Sequence, residues 1–100
     1  MSYTLSVAAE EDLFNIVLYT AENWGAEQAR TYTQKLADCM EKLSAGQGAC
    51  KQLHDFRPPI RVKHCQHHYL FGQEANDTFL ILAILHEIMD FMTHLHGRLT

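Results

Sequence analysis

The stretch Phe79-Leu80-Ile81-Leu82-Ala83-Ile84-Leu85-His86 decides the architecture. Its apolar run, Phe79–Leu85, is far shorter than the ~20 residues a membrane-spanning helix needs. It reads instead as a strand buried on both faces, the best candidate for the centre of a sheet. Such a strand needs neighbours on its edges and a layer above and below. Working backwards, Asn76-Asp77 is a hairpin signal that places His67–Gln73 beside it, and a tight turn or bulge near Gln66 adds Ile60–Cys65. The segment Gln47–Pro59 holds both prolines, adjacent to one another, and reads as a loop or irregular edge.

The covering layers come from the two ends of the chain. Residues 3–7, Tyr-Thr-Leu-Ser-Val, alternate as a short strand, and from Ala8 the period changes. Leu13, Ile16, Val17, Thr20 and Trp24 then recur at helical spacing, with Phe14 and Leu18 widening the stripe and Tyr19 on its flank. Glu10, Glu11 and Asp12 crowd the first turn, where the helix dipole favours anions. Trp24 reads as core at the helix end, and Gly25 as the stop. Ala29, Tyr32, Leu36, Cys39 or Met40, and Leu43 form the face of a second helix, which ends at Gly46 and Gly48. So short a connection predicts an antiparallel helical hairpin. The tail Glu87–Leu99 returns to helical spacing through Ile88, Phe91 or Met92, Leu95 and Leu99. The expected class is α+β: an N-terminal strand, a helical hairpin, a three-stranded antiparallel sheet and a C-terminal helix.

One hundred residues make one domain, residues 1–100, large enough to bury about 65% of the extended chain's surface on folding. With 47% apolar and 20% charged residues, and few glycines and prolines, the composition is that of an ordered globular chain. The net charge of −4 is unevenly spread: residues 1–50 are acidic, whereas Lys51, Arg57, Arg61 and Lys63 stand against Asp55 alone in residues 51–65. His54, His64, His67 and His68 lie in or beside that basic patch and would add charge below about pH 6.5. A local basic patch on an acidic chain suits an acidic protein partner better than nucleic acid. Three cysteines at irregular spacing, with no signal-peptide pattern at the N-terminus, lead to the expectation of a cytoplasmic protein with reduced thiols.

Three chemical readings can be built from the side chains. Zinc is suggested by His64-Cys65-Gln66-His67-His68, but unless the turn near Gln66 intervenes, strand alternation puts Cys65 and His67 on one face and His64 and His68 on the other, and no metal is expected. RNA cleavage would need an acid or base with fixed cations, drawn from Arg61, Lys63, His64, His68, Tyr69 and His86. Alternation divides that set as well, and no catalytic residue is assigned. His86 with Asp90 four residues on is either an oriented imidazole or a capped strand end, and the second is favoured.

Several local patterns occur together: Ala9-x-x-Asp12-Leu13-x-x-Ile16-x-x-Tyr19-Thr20, Trp24-Gly25, Gln28-Ala29, Tyr32 and Leu36 in the first half. Leu43-Ser44-Ala45-Gly46-Gln47-Gly48, Arg61, Cys65-x-His67-His68-Tyr69-x-Phe71 and Ala83-Ile84-Leu85-His86-Glu87-x-Met89-Asp90 follow. Together they resemble the ParE toxins of the RelE/ParE superfamily over nearly the whole chain. The resemblance implies a toxin of a type II toxin–antitoxin pair that inhibits DNA gyrase by binding, blocks replication, uses no cofactor, and is held in a hetero-oligomer by a ParD-like antitoxin. On that reading Arg57, Arg61 and Lys63 are candidates for antitoxin binding. Met89, Phe91, Met92 and Leu95 are candidates for a gyrase-directed face. The alternatives are a RelE-like ribosome-dependent mRNA endonuclease and a degenerate antitoxin-binding module.

Overall fold

A computed structural model describes residues 3–99, in the order β1 (Tyr3–Leu5), α1 (Val7–Trp24), α2 (Ala26–Ala45), β2 (Lys51–Leu53), β3 (Ile60–Cys65), β4 (His68–Ala75), β5 (Thr78–His86) and α3 (Phe91–Leu99). The sheet order is β1-β5-β4-β3-β2, with β1 parallel to β5 and every other pair antiparallel. The helical hairpin and the C-terminal helix are therefore as expected, but the sheet is mixed and five-stranded. β2 arises inside the stretch read as a loop, by pairing Lys51 with Val62 and Leu53 with Ile60. Three residues are too few to show a period, so only the partner strand reveals it.

Both faces of the sheet are buried, as the sequence of β5 requires. Leu36, Met40 and Leu43 of α2 pack with Cys65, Leu70, Phe79, Ile81 and Ile84 on one side. Phe56, Ile60, Val62, Phe71, Leu82, Ala83 and Leu85 form a second core, closed by Leu95 of α3 with Phe91 and Met92 beside it. In β5 the consecutive residues Leu82 and Ala83 share the α3 face. The cause is a β-bulge: Phe71 pairs with Ala83 but Gly72 with Ile81, so Leu82 is the extra residue. Gly72 is required opposite it, since a Cβ there would lie 2.3 Å from the Phe79 ring and 2.9 Å from the Leu80 carbonyl oxygen.

The bulge also marks where β1 stops. Pairing ends at Leu5 and Ile81, because Ser6 caps α1 by accepting from the Ala9 N–H at 3.1 Å. The β5 edge beyond Ile81 then needs other partners for its backbone. Ser6 and Arg98 both donate to the Leu82 carbonyl, at 3.3 and 2.9 Å, and the Asp12 carboxylate accepts from the Ile84 N–H at 3.0 Å. Arg98 grips the same carboxylate with two hydrogen bonds of 2.8 Å. One ion pair thus ties α1, the β5 edge and the end of α3 together.

Two sequence expectations are corrected here. Cys39 and Cys65 form a disulfide, with Cα atoms 6.3 Å apart, that fastens α2 to the end of β3; the two thiols expected to be reduced are joined, and Cys50 alone is free. The cysteines lie 26 residues apart on a helix and a strand, and only the packing of α2 on β3 brings them together. The final helix begins at Phe91 rather than Glu87. After β5 the chain turns, with the Met89 N–H donating to the His86 carbonyl at 3.0 Å, and Asp90 caps α3 by accepting from the Thr93 hydroxyl at 2.8 Å. Asp90 is therefore a helix cap and not a partner of His86, whose Nδ1 accepts from the Ile88 N–H at 3.3 Å.

Asp12→Ala should lower stability by about 2–3 kcal/mol in urea denaturation, because it strands both the Arg98 guanidinium and the Ile84 N–H. The double variant with Arg98→Ala should lose less than the sum of the two single losses. Reducing Cys39–Cys65 should lower the unfolding free energy by roughly 3–4 kcal/mol through the loop it closes, read as a shift in urea midpoint on adding dithiothreitol.

Candidate functional site

The residues singled out by the sequence separate once folded. Arg61 turns inward beneath the end of α2. Its guanidinium donates to the Leu43 and Ser44 carbonyls, approaches Glu74 at 3.4 Å and lies 4.7 Å above the Phe79 ring. It therefore neutralises the open carbonyl end of α2, where Gly46 and Gln47 close the last turn on Leu43 and Lys42. Lys63, on the same face, places its Nζ against the Gly48 backbone, and Arg57 stands exposed on the loop before β3. The three cations thus do not form one outward surface.

On α3 the candidate apolar face is already occupied. Leu95 is fully buried, and Phe91 and Met92 lie against the second core, with the Phe91 ring 5.2 Å from that of Phe71. Met89 and Ile88, in the turn before the helix, are 38% and 86% exposed. Simple alternation put His64 and His68 on one face, and the turn at Gln66, which separates β3 from β4, overturns that by sending them to opposite faces. His64 packs its ring 4.7 Å from Tyr69 on the α3 side, whereas His68 and His86 pair across β4 and β5 on the hairpin side, 5.3 Å apart. Cys65 is committed to its disulfide, and among the described residues no three His, Cys, Asp or Glu side chains are grouped to hold a metal.

What the fold does build is a cleft under the hairpin tip. Gly25 alone joins α1 to α2, at φ 96°, a conformation that side chains disfavour. With the helices turned so sharply, the tip stands off from the end of the sheet and leaves a cleft of about 680 Å³. Trp24 and Tyr19 line one side and His67, His68 and His86 the other, with Tyr32 and Lys35 between. Trp24 is 71% exposed, which corrects its assignment to the core: the one-residue connection gives it nothing to fold under.

The floor of the cleft is a polar chain. The Tyr32 hydroxyl accepts from the His67 N–H at 3.2 Å and is hydrogen-bonded to His68 Nδ1 at 2.6 Å. Burial, then the neighbouring His86 and His67, push the His68 pKa down to about 4. Burial likewise raises that of Tyr32, against the His67 N–H, which lowers it. Both groups are neutral at pH 7, and the basic nitrogen of His68 is already engaged. This is a structural tie, poorly disposed to move protons. Glu87 stands at its rim between His64 and His67, at 3.7 and 3.4 Å.

The exposed apolar residues of α1 are what the sequence reading missed. Val7, Phe14, Leu18 and Tyr19 are 46–78% exposed, although Phe14 and Leu18 had been counted with the core stripe. The available signal was that α1 carries large apolar side chains over more of its circumference than one buried face can use.

The chain matches the family model for the ParE toxin of the type II toxin-antitoxin system parDE over residues 3–91. It is 43% identical over 99 residues to Toxin ParE of Escherichia coli, covering 98% of this chain and 96% of that one. It is 29% identical to Toxin ParE1 of Caulobacter vibrioides, covering 93% and 96%. A solved chain of the chromosomal ParDE TA system from P. aeruginosa superposes with a TM-score of 0.69 at 22% identity, covering 86% of this chain and 95% of the other, and shares the fold.

Because His68 must stay neutral in the fold, stability should be full above about pH 6.5 and fall as the pH drops toward 4. The unfolded chain takes up the proton first, with a slope of at most about 1.4 kcal/mol per pH unit. Urea midpoints measured across that range should show the decline, and His68→Gln should flatten it.

Proposed function

The chain belongs to the ParE toxin family of type II toxin–antitoxin systems, and from that premise we propose that it inhibits DNA gyrase by binding. In this reading it blocks replication in the cytoplasm and is held inactive in a hetero-oligomer with a ParD-like antitoxin. The observation that carries the reading is the family match over nearly the whole chain. The surface supports it: large apolar side chains stand exposed on α1, at the hairpin tip and before α3, as expected of a protein that works through partners. No helix among the described residues is long and apolar enough to cross a membrane.

Inhibition by contact requires no acid, base or nucleophile. It accords with His64 and Tyr69 lying across the sheet from His68 and His86, and with Arg61 serving as a helix cap. An acidic chain also lacks the cationic cover that docking on ribosomal RNA would use. Of the two candidate sets, Arg57 and Met89 are the exposed members left to meet an antitoxin and gyrase in this reading.

The purified chain, incubated with gyrase, ATP and supercoiled plasmid, should cause linear DNA to accumulate after detergent and protease treatment, while mRNA in a parallel translation reaction stays intact. Cleaved mRNA with normal gyrase turnover would replace this reading with an endonuclease. Silence in both assays from folded protein would reduce the chain to an antitoxin-binding module.

A further inference from the structure

The chain carries a net charge of −4, yet no aspartate or glutamate lines the cleft under the hairpin tip. Its one lysine is Lys35, which takes part in none of the ion pairs among the described residues. Glu87 and Asp12 are the carboxylates whose charge reaches the floor at His68, and each is held by other groups. Glu87 lies against His64 and His67 at 3.7 and 3.4 Å, and Arg98 grips Asp12 at 2.8 Å. Such a lining favours an anion over a cation.

The walls specify more than charge. Trp24 and Tyr19 are 71% and 64% exposed, so two large aromatic faces border the cleft unburied. Asn15, Gln28 and Gln66 add side-chain amides, each a donor beside an acceptor, the pattern that pairs with the edge of a nucleobase. His86 supplies a further donor: its Nδ1 accepts from the Ile88 N–H at 3.3 Å, so the neutral ring carries its proton on Nε2. The volume of about 680 Å³ lies within the range of roughly 300–1,000 Å³ common to small-molecule sites.

Aromatic faces, amides and one cation together match a nucleotide. A lone lysine meets one phosphate, not the run of charges on a triphosphate. A nucleic-acid strand fits less well, because Glu22 and Glu27 stand exposed at the tip and would repel a backbone continuing past it. We propose that the cleft binds a free nucleoside monophosphate, with its base stacked against Trp24 and Tyr19, the base edge on the side-chain amides and the phosphate on Lys35. The ligand is held without chemical change, since the Tyr32–His68 pair below it is tied into the fold. It touches α1, α2 and the end of the sheet at once and so braces the hairpin tip. This small-molecule site is independent of the gyrase and antitoxin readings.

Trp24 is the single tryptophan of the chain, so its fluorescence reports on the cleft directly. The full chain is titrated with AMP, adenosine, ribose phosphate and a phosphorylated oligoadenylate, and calorimetry repeats the titrations on Lys35→Gln, Trp24→Leu and the control Lys42→Gln. All three side chains are exposed, so the variants should melt close to the parent. AMP should change the emission saturably and bind about tenfold more tightly than adenosine or ribose phosphate. Lys35→Gln should weaken AMP about fivefold and leave adenosine unchanged, whereas Trp24→Leu should weaken both about tenfold. Lys42→Gln, at the other end of α2, should bind as the parent does. Folded parent that shows no saturable AMP binding would overturn the proposal. Adenosine binding as tightly as AMP, with Lys35→Gln silent, would overturn it in favour of a neutral aromatic ligand. Oligoadenylate binding more tightly than AMP would overturn it in favour of a strand, and equal losses in Lys35→Gln and Lys42→Gln would reduce it to general electrostatics.

Discussion

The Asp12 carboxylate holds the three layers of this protein in register. It accepts two hydrogen bonds from Arg98 and one from the Ile84 N–H, and so joins α1, the β5 edge and the end of α3 at one point. The need for it follows from the length of β1. A three-residue edge strand cannot pair the nine-residue β5 along its length, and the bulge at Leu82 coincides with the place where pairing stops. The exposed backbone groups there would be costly to bury unpaired, and side chains 86 residues apart in the chain, Asp12 of α1 and Arg98 of α3, help to satisfy them.

A second set of ties secures the hairpin from the other end. Arg61 caps the carbonyl end of α2, and Cys39–Cys65 joins the middle of that helix to the end of β3. α2 is thereby bound to the sheet at two points along its length, beyond the packing of Leu36, Met40 and Leu43. α1 is bound chiefly by Ser6 and Asp12 near its start, while its far end and its outer face are left open. The cleft under Trp24 and the exposed apolar residues of the outer face both belong to that less constrained helix. Free surface in this fold is found where the internal ties are fewest.

The chemistry-bearing side chains are used mainly for structure. Arg61 and Arg98 cap backbone, His68 is held neutral by burial against Tyr32, and Asp90 starts α3. The surface these groups leave exposed is rich in large apolar side chains on one helix.

The sequence by itself determined the element types and their order. The unbroken apolar run of β5, the hairpin at Asn76-Asp77, the helical spacing of α2 and the breaks at Gly25 and Gly46 are local signals, set by turn chemistry and period. It determined as well that Arg61 and His64 lie on opposite faces of β3, because strand alternation is fixed by the backbone. Only the tertiary structure decided the rest. β2 is a strand by virtue of its partner, Cys39 meets Cys65 across two elements, and Arg61 looks like a surface cation until α2 is laid over it. For α1, periodicity reported an apolar face but could not say which part of a helix with large apolar side chains on more than one face would be covered. The sheet and α2 can bury only one side of a cylinder, and which side is settled by the Asp12–Arg98 and Ser6 contacts, made between residues that are neighbours in space alone.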